Sequence, residues 1–185
     1  LADTNRDHIR QARLEGLDTF YGHPASDHAE LHIDLTGVGN LLALSRHRHL
    51  NNVSAIHYLS DFGKNPIFGL SDMSENGLKE NARFTDSYAG QELFGEHITY
   101  DDLDEKIRIG HTMKSTPINQ AFDWQAYLAM YQEFCLPLVF IHKSGSVQPF
   151  TADAPTPAAT EGMVISLISH EYAETNGTAN GVQPA

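Results

Sequence analysis

The chain has 185 residues, of which 41% are hydrophobic and 19% are charged, and this composition excludes a wholly disordered protein. Twelve Lys and Arg residues stand against 24 Asp and Glu residues, and the resulting net charge of −12 argues against binding to nucleic acid or to an anionic membrane surface. No stretch approaches the roughly 20 apolar residues of a membrane-spanning helix. Leu1 is not a start methionine and no targeting peptide is recognisable, so we expect the chain to be part of a longer protein.

The first 70 residues alternate between helix and strand patterns. The predicted helices cover about residues 5–15, 26–34 and 46–61, and the predicted strands cover residues 19–21, 40–45 and 66–70. The run 40–45 is mostly apolar and lacks helical spacing, which predicts a strand that is buried on both faces. The third helix has an apolar stripe made by Leu50, Val53, Ile56 and Leu59. This alternation favours parallel strands joined by crossover helices, and therefore an α/β fold.

The pattern changes after residue 71, where a mostly polar stretch indicates a domain boundary. Residues 101–109 fit either a short helix or part of a β unit. A firm amphipathic helix follows, with Asp123 as its cap and with an aromatic and apolar stripe that we interpret as core: Trp124, Tyr127, Leu128 and Tyr131. The strands predicted after it cover residues 137–142, 147–150 and 163–168.

These patterns predict an α/β domain over residues 1–72, a connecting region over 73–115, a smaller α+β domain over 116–172 and a disordered tail over 173–185. The only cysteine, Cys135, permits no internal disulfide, and we interpret it as a small core residue. His28 and His32 lie four residues apart on a predicted helix, and His47 and His49 form a second close pair. No further cluster completes a tetrahedral site, so we interpret these histidines as solvent-facing and expect no metal site.

An acidic residue stands directly before the first predicted helix. Asp3 at this position is typical of a helix cap, and it is also where a dinucleotide-binding fold places the carboxylate that binds a ribose. Further marks follow at characteristic spacing: Asp3-Thr4-Asn5, Ala12-Arg13, Gly16-Leu17, Tyr21-Gly22, Leu35 to Gly39, Leu41 to Ser45, Asn51-Asn52 and Phe62-Gly63. In their order, these marks resemble the TrkA-N (RCK) type nucleotide-binding domain that regulates potassium channels and transporters. In particular they look like the version fused to bacterial sodium/proton antiporters, and residues 137–168 more weakly resemble the small β domain that follows it.

The resemblance implies a Rossmann-like parallel sheet that is incomplete, because its first strand and its Gly-rich phosphate loop would precede Leu1. It also implies the residues that would bind NAD(H) or a related adenine nucleotide: Asp3 and Thr4 at the ribose, Gly22 and His23 on the adenine side, and Ser45 and Arg46 at the next strand end. His23 departs from the family, which commonly has Asp there. With the phosphate loop missing, we expect the chain alone to bind NAD(H) weakly or not at all.

As a function, the resemblance implies a regulatory domain of a cation/proton antiporter that senses a nucleotide and biases transport. Such a domain lies on the cytoplasmic face of the bacterial inner membrane, is attached to a transmembrane domain and is commonly a homodimer. We find no nucleophile or catalytic motif and expect no enzyme activity. Two alternatives stay open, which are a fragment of an NAD-dependent oxidoreductase and a stand-alone adaptor that dimerises through the aromatic stripe.

Overall fold

The computed structural model describes residues 1–63, 66–71 and 91–172. These residues divide into two compact units, the first running from Leu1 to Phe68 and the second starting at Gly69. The predicted domain border after residue 72 and the predicted tail over 173–185 lie outside the described residues. None of the helices in this described part of the chain has the length and hydropathy that a membrane crossing requires.

The first unit begins with a strand–helix–strand motif. It consists of β1 (Ala2–Asp3), α1 (Arg6–Leu14) and β2 (Phe20–Tyr21). The strands pair in parallel, with Ala2 opposite Phe20 and Asp3 opposite Tyr21. The side chain of Asn5 caps α1 by accepting a hydrogen bond from the backbone of Asp7. The predicted first helix and the short β-prone run after it are therefore confirmed.

The rest of the first unit contains three helices and a second sheet. Its elements are α2 (Asp27–His32), β3 (Leu41–Ala43), α3 (Arg48–His57), α4 (Leu59–Phe62) and β4 (Ile67–Gly69), whose last residue already belongs to the second unit. Strands β3 and β4 are neighbours in a sheet that is separate from the β1–β2 pair. Ile67 and Phe68 are buried, which confirms the predicted buried strand at this position.

Two predictions for this region are wrong in detail. The helix predicted over 46–61 is interrupted at Tyr58, where the backbone leaves the helical conformation. The side chain of Tyr58 is buried, and its hydroxyl donates a hydrogen bond to the Pro24 carbonyl at 2.7 Å. The buried face of α3 is made by Ser54 and Ala55, whereas Ile56 of the predicted stripe is 51% exposed. Small side chains can face inward here because the Ser54 hydroxyl is satisfied by a backbone carbonyl within the helix.

Strand β3 also differs from its prediction, because it is not buried on both faces. Of its three residues only Ala43 is buried, and the following Leu44 is 41% exposed. Helix α3 packs against β3. The strand is too short for its apolar run to be covered along its whole length.

The second unit is built on an antiparallel sheet. Its elements are β5 (Gln91–Glu92), α5 (Tyr100–Arg108), β6 (Thr112–Ile118), α6 (Trp124–Tyr131), β7 (Cys135–His142), β8 (Val147–Pro149) and β9 (Gly162–Ile168). Strands β6 to β9 form this sheet in the order β6-β9-β7-β8, and every neighbouring pair is antiparallel. The structure confirms strands β7, β8 and β9 and the helix α6 with its Asp123 cap. Residues 101–109 are settled as a helix, which starts with a capping box between Thr99 and Asp102.

Strand β6 has no counterpart in the sequence analysis, and it runs across the predicted border at residues 115 and 116. Five of its seven side chains are exposed, and it contains Pro117. A proline without a backbone N–H is tolerated on an edge strand, which is the position that β6 occupies in the sheet order. At the level of fold class the α/β prediction is confirmed, with parallel pairing in the first unit and an antiparallel sheet in the second.

The core of the second unit lies between α6 and one face of this sheet. Its buried members are Ile118, Tyr127, Tyr131, Phe140, Phe150, Val164 and Ile168. Trp124 stacks on the rings of Tyr127 and Phe150, with ring centroids 4.9 and 5.4 Å apart. The interpretation of the stripe as core is confirmed for Tyr127 and Tyr131, against which Trp124 packs, whereas Leu128 is 38% exposed.

Cys135 packs against the same core, as predicted. The hydroxyl of Tyr127 lies 3.6 Å from its sulfur atom and also forms a short hydrogen bond with the Ser166 hydroxyl. Burial raises the pKa of the Cys135 thiol, which keeps the sulfur protonated and poorly nucleophilic at neutral pH. The residue therefore serves packing in this structure.

Candidate functional site

The carboxyl ends of β1 and β2 lie side by side in the first unit. The Gly22 N–H donates a hydrogen bond to the Asp3 carbonyl at 3.0 Å, which continues the parallel pairing past the last strand residue. A Cβ atom on Gly22 would lie 3.0 Å from the ring of Phe20, and its φ of 149° is one that L side chains rarely adopt. Gly22 therefore turns the chain tightly at the edge where α/β folds bind their ligands.

The carboxylate of Asp3 is held at this edge by two donors. One oxygen accepts the Asn5 N–H at 2.8 Å, and the other accepts the Nδ1–H of His8 at 2.8 Å. Partial burial on its own raises the pKa of Asp3, but these hydrogen bonds and the nearby imidazole outweigh it, so the pKa lies below its ordinary value. The side chain stays 30% exposed. Asp3 is therefore an ionised, oriented acceptor within reach of a ligand.

His8 completes this arrangement and is absent from the sequence analysis. Because the Asp3 carboxylate only accepts hydrogen bonds, Nδ1 of His8 carries the proton and Nε2 accepts from the Asn5 side-chain amide at 3.3 Å. His8 is the third residue of α1, a position whose side chain commonly reaches back to the residues before the helix. The capping logic that pointed to Asp3 could therefore have identified His8 as well.

A cationic side chain lies beside the same strand ends. The guanidinium of Arg6, at the start of α1, stands 5.1 Å from the ring centroid of Tyr21, the last residue of β2. Tyr21 is 45% exposed, so the stacked guanidinium faces solvent near the candidate site. A guanidinium is the side chain best suited to bind phosphate oxygens.

The predicted residues Thr4 and His23 lie on the chain segments that leave the two strands. Thr4 is exposed between β1 and α1. His23 belongs to a turn in which its Nδ1 accepts the Ala25 N–H at 3.2 Å and its carbonyl accepts the Ser26 hydroxyl at 2.8 Å. The ring is thus oriented by its own turn, next to Gly22.

The other two predicted residues follow β3. The backbone of Ser45 exchanges two hydrogen bonds with the side chain of Asn51, and its hydroxyl accepts the His47 N–H at 3.1 Å. Ser45 therefore organises the start of α3, and the exposed Arg46 comes directly after it. The structure brings Asp3, Thr4, Gly22 and His23 to one sheet edge, and it leaves Ser45 and Arg46 at the end of a strand in another sheet.

A separate cavity of about 480 Å³ lies in the second unit. It is lined by Ile118, the first turn of α6 and the loop 156–160. Its carboxylate, Asp123, already accepts the Ala126 N–H at 2.8 Å as the helix cap. This lining offers no titratable pair for catalysis, and its apolar wall continues the core.

Neither a metal-binding cluster nor a similarity to a known protein assigns a function to these residues. Across residues 1–63, 66–71 and 91–172, no group of three or more His, Cys, Asp and Glu side chains is arranged to hold a metal ion. Comparison with protein-family models finds no match, and no curated protein matches the chain. The site must therefore be judged on its own geometry and on the sequence marks described above.

Proposed function

We propose that this chain is the nucleotide-sensing regulatory domain of a cation/proton antiporter, with NAD(H) or a related adenine nucleotide bound at the carboxyl ends of β1 and β2. The observation that carries the proposal is that β1 and β2 pair in one sheet, while β3 and β4 are neighbours in a different sheet. A dinucleotide-binding sheet has the strand order 3-2-1-4-5. In that order strands 2 and 3 are neighbours, strands 4 and 5 are neighbours, and strand 1 lies between these two groups. The neighbours β1–β2 and β3–β4, which lie in different sheets, correspond to strands 2–3 and 4–5.

The local chemistry at the first pair agrees with this assignment. In the dinucleotide-binding order, β1 corresponds to the strand that ends with the ribose-binding carboxylate, and Asp3 stands at that end. Its bond to His8 can be exchanged for a ribose hydroxyl, because both side chains are partly exposed. Arg6, beside the same strand ends, offers a positive charge to a phosphate.

Regulation requires a difference in affinity between two arrangements of the domain. A nucleotide that binds one arrangement more tightly shifts the equilibrium of the attached membrane domain by the corresponding coupling free energy. Such a role needs binding groups only, and it fits a homodimer that closes and opens on the cytoplasmic face of the membrane. Light scattering on the purified chain tests the dimer, and a monomer at high concentration would count against it.

The nucleotide site is tested by titrating the ¹⁵N-labelled chain with NADH and following the backbone amide signals. We expect shifts at Asp3, Asn5 and Gly22 with a dissociation constant of about 1 mM or weaker, which is about −4 kcal/mol. Asp3→Asn removes the charged acceptor, whose hydrogen bonds contribute about 1.5–3 kcal/mol, so we expect at least about a tenfold loss. Asp7→Asn is the matched control, since Asp7 is an exposed carboxylate in the first turn of the same helix.

Two results would contradict this proposal. Amide shifts confined to the second unit, or equal affinities in Asp3→Asn and Asp7→Asn, would show that the strand ends are not the site. A submillimolar dissociation constant by calorimetry would overturn the expectation of weak NAD(H) binding. The regulatory role is tested on the product of the complete gene in vesicles, where NADH should change the rate of sodium/proton exchange and Asp3→Asn should abolish that change.

A further inference from the structure

Helix α2 presents two histidines on one exposed face. His28 and His32 are separated by one helical turn, which puts their Cβ atoms about 5–6 Å apart. Their ring centroids lie 4.0 Å apart with an angle of 48° between the planes. Ala29, the next residue after His28 on the helix, is fully buried. The helix is thus anchored by Ala29 while both imidazoles lie together in solvent.

A hydrogen bond made by one ring nitrogen of His32 determines that the other ring nitrogen can bind a metal ion. Its Nδ1 lies 2.8 Å from the His28 carbonyl oxygen. A carbonyl only accepts, so Nδ1 donates its proton, and in the neutral ring Nε2 carries the lone pair. A bond of this kind from the second ring nitrogen is what orients metal-binding histidines in proteins. The ring of His28 is positioned in turn against Phe20, at a centroid distance of 5.6 Å.

We propose that His28 and His32 together bind one divalent transition-metal ion of the Zn²⁺, Ni²⁺ or Cu²⁺ class through one imidazole nitrogen each. Metal–nitrogen bonds of about 2.0–2.1 Å require the two donor atoms to lie about 3 Å apart. Rings whose centroids are already 4.0 Å apart reach that spacing by side-chain rotation alone. Imidazole favours these ions over Ca²⁺ and Mg²⁺, which take oxygen ligands.

The surroundings of the pair favour a cation with open coordination positions. Asp27 and Glu30 lie on the same helix, and the chain carries a net charge of −12. Within the described ranges no third protein ligand is arranged beside the pair, so water completes the coordination sphere. The proposed site is therefore a surface site with two protein ligands, His28 and His32, which we call the two-histidine clip. It differs from a closed tetrahedral site, which needs four protein ligands. It is independent of the proposed nucleotide function.

The clip is tested with Zn²⁺ by calorimetry and with Cu²⁺ by NMR on the intact chain. Cu²⁺ is paramagnetic, so we expect the amide signals of Ala29 and Leu31 to broaden first. We expect His28→Gln and His32→Gln each to weaken Zn²⁺ binding about tenfold or more, since even the loss of an outer-shell partner costs 10–100-fold.

The chain contains its own matched control. His47 and His49 are both exposed at the start of α3, but they are two residues apart, a spacing at which helical side chains do not face each other. His47→Gln and His49→Gln should leave Zn²⁺ binding unchanged. Equal binding by the wild type and both α2 variants, or first broadening outside α2, would overturn the proposal. Far-UV circular dichroism shows that the variants are folded, and the Cu²⁺ experiment on the wild type decides the question without any variant.

Discussion

Replacing Gly162 with alanine should damage the second unit more than any ordinary strand substitution. Gly162 opens β9, which lies between β6 and β7 in the sheet. An added Cβ would lie 2.4 Å from Cζ of Phe140 and 2.5 Å from the Ile141 carbonyl oxygen. Carbon atoms in favourable contact are about 3.5–4.0 Å apart, so the ring would have to move by more than about 1 Å.

The structure offers little room for that movement. Phe140 is fully buried in the core cluster with Tyr131 and Val164, and the Ile141 oxygen belongs to the backbone of β7. Overpacking in a closed core costs about 1–3 kcal/mol, and a required backbone shift places this case at the upper end, near ~3 kcal/mol. Since small domains are stable by only about 5–15 kcal/mol, this loss is a large share of the total.

Urea unfolding followed by tryptophan fluorescence measures this effect directly. Trp124 is the only tryptophan and lies against the same core, so its emission reports the unfolding of the second unit. With a urea slope of about 2 kcal/mol/M, a loss of ~3 kcal/mol lowers the midpoint by about 1.5 M. Gly69→Ala is the control, because Gly69 also lies in a strand and no atom stands within 4 Å of an added Cβ. A midpoint for Gly162→Ala within about 0.3 M of the control would refute the packing argument.

Two further predictions concern buried polar groups of the same unit. Burial and the charge of Lys106 hold the pKa of His111 below its ordinary value, so the unfolded chain takes up the proton first as the pH falls through about 6.5. The stability of the unit should therefore be highest above that pH and decrease below it, and His111→Gln should reduce this dependence in urea midpoints measured from pH 5 to 8. Tyr127→Phe should cost about 1–3 kcal/mol because it leaves the buried Ser166 hydroxyl without its partner. In the double variant with Ser166→Ala the two losses should not add, and full additivity would show that this hydrogen bond contributes nothing.

Helices and strands that are marked by apolar spacing or by a capping residue within their own segment could be predicted from the sequence. Helix α6 follows from apolar spacing and from Asp123, and α1 follows from the polar residues that precede it. Strand β6 could not be predicted, since it is an edge strand with mostly exposed side chains and therefore lacks an apolar pattern. Its position depends on pairing with β9, about 50 residues later in the chain, where Thr112 lies opposite Ile168. Long-range pairing of this kind leaves no periodic mark within the strand itself.

The interruption at Tyr58 illustrates a second limit. The residues around it have helical spacing, and nothing in the local sequence requires the break. The break is stabilised by a tertiary contact, the hydrogen bond from the Tyr58 hydroxyl to the Pro24 carbonyl 34 residues away. A net hydrogen bond of about 1 kcal/mol, together with burial of the ring, outweighs the weak preference for continuing the helix.

The two interpretations of Asp3, as a helix cap and as a ribose acceptor, require the same residue type at the same strand–helix junction. Sequence alone therefore could not separate them, whereas the structure assigns the cap to Asn5, whose side chain binds the Asp7 N–H. Asp3 stands two residues earlier, and its carboxylate binds donors from outside the strand while its carbonyl holds Gly22. Both of its oxygens bind donors at the start of α1: one accepts the N–H of the cap residue Asn5, and the other binds the partly exposed ring of His8. Because Asn5 caps the helix, the Asp3 carboxylate is oriented at the sheet edge by other donors and stays 30% exposed.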